Sequence, residues 1–172
     1  MRVVYLGFGS NTQREFFLAK GLRLLQEQVE LVSVSPVYRS DSVGFNGAAF
    51  FNFCVSINTS KSVSHLKAIL KRIEDICGRD RKAPKYSGRT LDIDILYVEG
   101  EVGEVDGVQL PRQEVSLNAF VLKPLVDIAP QLMDPRDGSY FRDQWSDYDK
   151  TRQPLIEVSA DFLGITASTI ER

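Results

Sequence analysis

The chain has 172 residues and a mass of 19.4 kDa, the size of one domain that buries roughly 70% of its unfolded surface without a disulfide or structural metal. Hydrophobic residues make up 43% and charged residues 26%, which excludes a mostly disordered or fibrous chain, and no apolar run approaches the ~20 residues of a membrane span. The net charge of −2 conceals +5 over residues 67–89 and −7 over the remaining 149; on charge alone this segment reads as a solvated helix face and loop, and with a ligand it favours a compact anion over a long nucleic acid backbone.

The first apolar run, residues 3–8, reads as a strand that ends at Gly9-Ser10-Asn11, a turn and helix-start signal. It begins directly after Met1-Arg2, so no signal peptide is expected. Thr12 with Glu15 resembles a capping box, and Leu18, Leu22 and Leu25 recur at helical spacing, so residues 12–28 read as a helix with Gly21 inside it. Residues 31–38 alternate and form the second strand, with Pro36 marking an edge or an end. Residues 39–49 read as a loop. Residues 50–58 form the third strand, with Phe51, Phe53, Val55 and Ile57 on one side and Phe50, Asn52, Cys54 and Ser56 on the other. Ser62 or Ser64 caps a second helix whose stripe is Leu66, Ile69, Leu70, Ile73 and Ile76, and Gly78 ends it.

Residues 79–88 form a polar loop and residues 91–97 the fourth strand, with Leu91, Ile93, Ile95 and Tyr97 on its buried face. Asp106-Gly107 is a turn signal. Residues 116–128 read as a third helix kinked at Pro124. Residues 131–172 read as a wrap on a core that covers 1–135, with a short helix near 161–165, all within one domain. The order is βαββαβ: an α+β, ferredoxin-like core, an antiparallel sheet with two helices packed on one face. Cys54 and Cys77 fit no metal spacing and read as reduced, buried thiols. The lone histidine, His65, makes a zinc site or a Ser-His-Asp triad a poor reading and reads as a solvated surface residue.

Chemistry concentrates on the fourth strand. Asp92 and Asp94 stand at i and i+2, so both carboxylates project from one face, roughly 6.5–7 Å apart at their Cα atoms. Two readings are open: a Mg²⁺ site, since hard cations take oxygen ligands and share them with phosphates, or a solvent-facing strand paired to nearby arginines. Arg79, Arg81, Lys82, Lys85 and Arg89 tilt the balance, because metal-binding acids beside a basic loop suit phosphoryl transfer from Mg-ATP. No Walker A pattern is present. On the third strand, Asn52 offers a donor and an acceptor to the edge of a heterocycle. Phe50 and Phe120 can wall its plane, although each phenylalanine alone reads more simply as core.

Gly9-Ser10-Asn11, Ser35-Pro36-Val37-Tyr38, Phe51-Asn52, Gly78-Arg79, the block Gly88-Arg89-Thr90-Leu91-Asp92-Ile93-Asp94, Leu110-Pro111 and Ala119-Phe120-Val121-Leu122 occur in order. Together, over residues 1–135, they resemble the 6-hydroxymethyl-7,8-dihydropterin pyrophosphokinases of folate biosynthesis. The resemblance implies a ferredoxin-like fold with the antiparallel sheet in a three-layer αβα sandwich, and transfer of pyrophosphate from ATP to the pterin hydroxymethyl group, with AMP released. It implies two Mg²⁺ on Asp92 and Asp94, with Arg79 and Arg89 as catalytic arginines on the phosphates. Glu74, Arg81, Tyr86, Ile95 and Arg112 fall at the nucleotide site, and Val43, Gly44, Phe50, Asn52 and Phe120 at the pterin. The family usually carries histidine at Arg112, tryptophan at Tyr86 and often arginine at Asn118.

The expected partners are ATP and the pterin, with neither nucleic acid nor membrane, for a cytoplasmic monomer. Two rival readings are a relative that binds pterin or nucleotide with little turnover, and a ferredoxin-like RNA-binding module. AMP release separates the first from an enzyme. The second places Asp92 and Asp94 against RNA phosphates, which is unfavourable.

Overall fold

A computed structural model describes residues 1–42, 47–79, 82 and 88–165. Strand β1 (Arg2–Ser10) leads into helix α1 (Arg14–Gln26), followed by β2 (Glu30–Val34), β3 (Val37–Ser40), β4 (Phe50–Thr59), helix α2 (Val63–Ile76) and β5 (Asp92–Val98). A hairpin, β6 (Gly103–Val105) and β7 (Val108–Leu110), turns at Asp106-Gly107. Then come α3 (Glu114–Leu117), α4 (Ala119–Ile128), α5 (Phe141–Asp147), β8 (Ile156–Val158) and a 3₁₀ turn at Asp161–Leu163. The main sheet runs β5-β1-β4-β3-β8, with β2 also on β4, and its pairings are antiparallel. The chain is thus an α+β fold.

Both faces of this sheet are covered. Phe51, Phe53, Val55 and Ile57 of β4 join Leu18, Leu22 and Leu25 of α1 and Leu66, Leu70 and Ile73 of α2 in one apolar core. On the opposite face, Cys54 and Leu96 pack with Val115, Leu122, Leu125 and Phe141 from α3, α4 and α5. The alternation expected along residues 50–58 therefore holds, and the third layer comes from the C-terminal helices. Gly21, an unfavourable residue inside a helix, has a packing reason: a Cβ there would lie 2.6 Å from Leu91 Cδ2, so its absence lets α1 settle on the fully buried Leu91.

Several local expectations change. The capping box does not form: Thr12 Oγ1 turns to Asn11 Oδ1 (3.5 Å), and α1 starts after Gln13 in a left-handed conformation with no side-chain cap. Ser62 is the cap of α2, its Oγ accepting from the His65 N–H at 3.1 Å, and Gly78 ends that helix at φ +81°. Ile76, placed in the apolar stripe, is 47% exposed, and Cys77 is buried in the last turn instead. The second strand divides into β2 and β3 around Ser35-Pro36, where the Ser35 hydroxyl accepts from the Cys54 N–H (2.9 Å), because proline has no N–H to offer a ladder.

Leu96 is an extra residue opposite the step from Tyr5 to Leu6. This bulge moves Tyr97 from the expected buried face to the second core, against Tyr5 and Phe141. The helix expected over 116–128 is two helices that part at Asn118, which is extended, while Pro124 sits inside α4. The C-terminal wrap holds α5 and β8, neither foreseen, and its short helix is the 3₁₀ turn. Cys54 and Cys77 are free and buried, and His65 is exposed. Among the described residues no helix is long and apolar enough to cross a membrane.

Candidate functional site

The cover over the second sheet face stops short of the end where β1 finishes and β5 begins. There the structure leaves two adjoining cavities. The larger, about 350 Å³, is lined by Gly9, Phe50, Asn52, Arg89, Asp92, Asp94 and Phe120, with Ser40, Asp41, Cys54, Glu114 and Asn118 around them. Its walls are mostly apolar with a few polar groups, the usual make-up of a small-molecule site. The smaller, about 230 Å³, is lined by Lys67, Leu70, Lys71 and Glu74 of α2, Arg79, Ile95 and Val108, and Arg112. Asp92 and Asp94 line both.

Asn52 is placed by β4 pairing with β1 and β3, opposite Gly9 and Tyr38. Its Nδ2 donates to the Phe8 carbonyl and its Oδ1 accepts from Ser40 Oγ, each at 3.4 Å. These are long bonds, so a ligand that offers closer partners gains the amide at little cost. The side chain lies so flat on β1 that a Cβ at Gly9 would come 2.6 Å from Nδ2; only glycine admits this approach. The Cys54 thiol is a wall, not a nucleophile. Its 1% exposure pushes its pKa far above the ordinary range, and the neighbouring Asp127 adds to the rise.

Each strand carboxylate is met by a guanidinium. Arg79 Nη1 contacts Asp92 Oδ1 and also reaches the Leu91 carbonyl at 3.4 Å, and Arg89 Nε lies 3.9 Å from Asp92 Oδ2. Arg112 Nη2 lies 3.7 Å from Asp94 Oδ1 while its Nε lies 3.3 Å from Glu114 Oε2. The Arg112 N–H donates to the Leu96 carbonyl (2.8 Å), which fastens this residue beside β5. Glu74, 9% exposed, accepts from the Ile93 N–H at 2.9 Å and ties α2 to β5. Arg79 Nε is buried without a hydrogen-bond partner among the described residues.

Asp94 rests on the floor of the cleft. Burial by the surrounding walls pushes its carboxyl up to about 6; Arg112 pulls it down, and the negative charges of Asp92, Glu74 and Glu114 push it further up. The acids here stand against the guanidinium groups of Arg79, Arg89 and Arg112.

Of the expected site residues, Phe50, Asn52, Arg89, Asp92, Asp94 and Phe120 meet in the larger cavity, and Glu74, Arg79, Ile95 and Arg112 join the two aspartates in the smaller. Val43, Gly44, Arg81 and Tyr86 lie outside the described residues. In the sequence Lys67 and Lys71 stand out only as part of a basic segment. Their i, i+4, i+7 spacing with Glu74 carries the missing signal, since it puts all three on one helix face. Glu114 and Asn118 reach the larger cavity only because the chain breaks between α3 and α4, which no periodicity announces.

The family model for 7,8-dihydro-6-hydroxymethylpterin-pyrophosphokinase matches residues 5–130. The 2-amino-4-hydroxy-6-hydroxymethyldihydropteridine pyrophosphokinase of Aquifex aeolicus is 34% identical over 137 residues, 78% of this chain and 85% of the relative. The protein of that name from Pseudomonas aeruginosa is 34% identical over 143 residues, 80% of this chain and 86% of the relative. Among solved structures, a Plasmodium falciparum HPPK-DHPS with pterin and p-hydroxybenzoate superposes with a TM-score of 0.68 at 14% identity. It covers 87% of this chain and 43% of its own, so the chain spans less than half of that longer protein, and the likeness shows the fold.

Proposed function

Since the chain belongs to the 7,8-dihydro-6-hydroxymethylpterin-pyrophosphokinase family, we propose that it transfers pyrophosphate from ATP to the hydroxymethyl group of 6-hydroxymethyl-7,8-dihydropterin, releasing AMP, in folate biosynthesis. The observation that carries the reading is the sharing of Asp92 and Asp94 by the two cavities. One cavity suits a flat heterocycle with a polar edge, the other a polyanion, and the carboxylates stand where the two ligands would meet.

In this reading Asn52 pairs with the pterin edge while Phe50 and Phe120 flank its rings. Lys67, Lys71, Arg79 and Arg112 lie where the nucleotide would enter, and Glu74 and Ile95 line the same space. Arg79, whose Nε has a free donor among the described residues, and Arg89 offset the negative charge that grows on the transferred phosphates. The hydroxymethyl oxygen attacks the β-phosphorus, the Pα–O–Pβ bridge breaks on the far side, and AMP leaves with the bond's electron pair. The hydroxyl proton is released to solvent. No side chain is asked to be a strong general base; positioning and charge carry the rate.

The donor set fits Mg²⁺: two carboxylates on one strand face, one of them destabilised as an anion by burial, with phosphate oxygens to complete the shell. Asp92 and Asp94 would hold two such ions, which would supply charge neutralisation to the phosphates. Arg79 and Arg112, now on those carboxylates, would turn to phosphate. The roles proposed for Val43 and Gly44 at the pterin and for Arg81 and Tyr86 at the nucleotide rest on the family resemblance alone. We assign the work to a monomer in the cytoplasm, acting on two soluble small molecules. The test is product analysis with ATP, Mg²⁺ and 6-hydroxymethyl-7,8-dihydropterin. AMP and pterin pyrophosphate in equal amounts support the reading; ADP, or no nucleotide product, contradicts it.

A further inference from the structure

Part of the larger cavity's wall is the junction between α3 and α4. Glu114 lies before it, Asn118 stands at its break, and Phe120 follows. Four successive residues of this junction are tied to the C-terminal wrap. Ser116 Oγ donates to Gln144 Oε1 (2.7 Å), and the Tyr148 hydroxyl donates to the Leu117 carbonyl (2.9 Å). Gln153 takes the other two: its Nε2 donates to Asn118 Oδ1 (2.9 Å) and its Oε1 accepts from the Ala119 N–H (2.8 Å). A turn in which the Thr151 N–H donates to Asp149 Oδ1 (3.0 Å) and the Arg152 N–H to the Asp149 carbonyl (3.1 Å) brings Gln153 to this spot.

Asparagine is among the residues that most often cap a helix with their own side chain. Asn118 occupies that position in α4, extended at φ −115° and ψ 124°, and its carbonyl accepts from the Leu122 N–H at 2.9 Å, yet its side chain caps nothing. Its Oδ1 faces Gln153 instead, and Gln153 supplies the acceptor for the first amide of the helix, that of the fully buried Ala119. A local cap would satisfy α4 without ordering the wrap. The remote clamp also fixes which way Asn118 turns and where the helix starts, one residue before Phe120. We propose that Gln153 is a positioning residue for the heterocycle: by holding Asn118 and Ala119 it sets Phe120 against the larger cavity. The inference rests on the functional reading above and extends the site to a side chain that lines neither cavity.

The experiment is calorimetry on the full chain. Protein saturated with Mg²⁺ and α,β-methylene-ATP, whose Pα–C–Pβ link the transfer cannot break, is titrated with 6-hydroxymethylpterin, and the nucleotide analogue is titrated separately. Gln153→Met keeps the length of the side chain but has no N–H and only a weak acceptor. It is expected to weaken the pterin about tenfold, the scale of one good hydrogen bond, while the affinity for the analogue stays within about twofold of wild type. Gln153→Glu keeps the acceptor for the Ala119 N–H and meets Asn118 once that amide turns its Nδ2 outward. It is expected to return the pterin affinity to within about threefold of wild type. A merely structural role would weaken both ligands together. Should Gln153→Met not fold, the side-chain amide NMR signal of Gln153 in wild type decides: it is expected to shift when pterin joins the analogue-bound protein and to stay in place when the analogue alone binds. Unchanged pterin affinity in folded Gln153→Met, an equal loss for both ligands, no recovery in Gln153→Glu, or a Gln153 signal indifferent to pterin each overturns the positioning role. Absence of any pterin binding by wild type overturns the functional reading itself.

Discussion

The two faces of the sheet are built from the same strands and do opposite jobs. Under α1 and α2 the apolar side chains of β1, β4 and β5 close into a continuous core in which Leu6, Leu18, Leu25, Val55 and Ile57 are fully buried. On the other face Val115, Leu122, Leu125 and Phe141 pack against Cys54 and Leu96, which form the inner wall of the larger cavity, and toward Asn52, Phe50, Asp94 and Asp92 the cover gives way to open cleft. Along β4 a step of two residues, from Cys54 to Asn52, passes from a buried thiol at the cavity's inner wall to an amide that faces a ligand. The difference teaches that stability and chemistry are divided between faces, so a substitution on one should spare the property held by the other.

The sharpest way to break this division is on β5. Asp92→Ala or Asp94→Ala is expected to cut pyrophosphoryl transfer by about a thousandfold or more, the scale of several kcal/mol for a lost metal site, while the melting temperature stays near wild type. Near-normal turnover in either variant contradicts the placement of the cation. The converse substitution lies on the closed face. Leu22→Ala in α1, at 1% exposure, is expected to lose about 2–5 kcal/mol of stability in denaturant titration with kcat unchanged below the transition. A large kcat loss in folded protein would mean that the faces are not independent.

Smaller effects sharpen the picture within the open face. Gly9→Ala places a methyl 2.6 Å from Asn52 Nδ2 and must push the amide aside. The KM for pterin is expected to rise about tenfold, as when one good hydrogen bond is lost, with the KM for ATP little changed. An equal rise in both would place Asn52 elsewhere than at the heterocycle.

The smallest expected effect belongs to the wrap. Asp134, 2% exposed, accepts from Arg136 and Gln144, and those bonds hold its pKa below the usual carboxylate value although its burial works against them. A carboxyl held low binds fewer protons folded than unfolded. Its contribution is therefore complete above the unfolded pKa of about 3.9 and is lost as pH falls through the folded value. Asp134→Asn should lower stability by about 1 kcal/mol at pH 7, and the gap from wild type should close in acid. A gap that is constant with pH contradicts this origin.

The sequence shows the succession of strands and helices from β1 to β5 apart from the division at Ser35-Pro36, the faces of β4 and the shared face of Asp92 and Asp94, because each rests on a short period that neighbouring residues repeat. It does not show features decided by contacts across the chain. The Leu96 bulge is a matter of register with β1, so Tyr97 looks like the next buried residue in line and is not. The Asn118 break depends on the Gln153 side chain, whose Nε2 donates to Asn118 Oδ1 (2.9 Å) and whose Oε1 accepts from the Ala119 N–H (2.8 Å), 34 positions away. Strand β8 is three residues long, and Ile156 and Glu157 are exposed, so it has no alternation to read. The same limit applies to the site: Asn52, Asp92 and Asp94 are legible from strand period and residue type, whereas Glu114 and Asn118 enter through an unsignalled break.

The most direct measurement replaces Mg²⁺ with Mn²⁺ in the complex with α,β-methylene-ATP and 6-hydroxymethylpterin, and records relaxation of the pterin hydroxymethyl protons. If the carboxylates of Asp92 and Asp94 seat the metal where the two cavities meet, those protons relax strongly in wild type and not in the Asp92→Asn, Asp94→Asn double variant. Relaxation that ignores Mn²⁺, or that persists undiminished in the double variant, would place the cation away from these two residues.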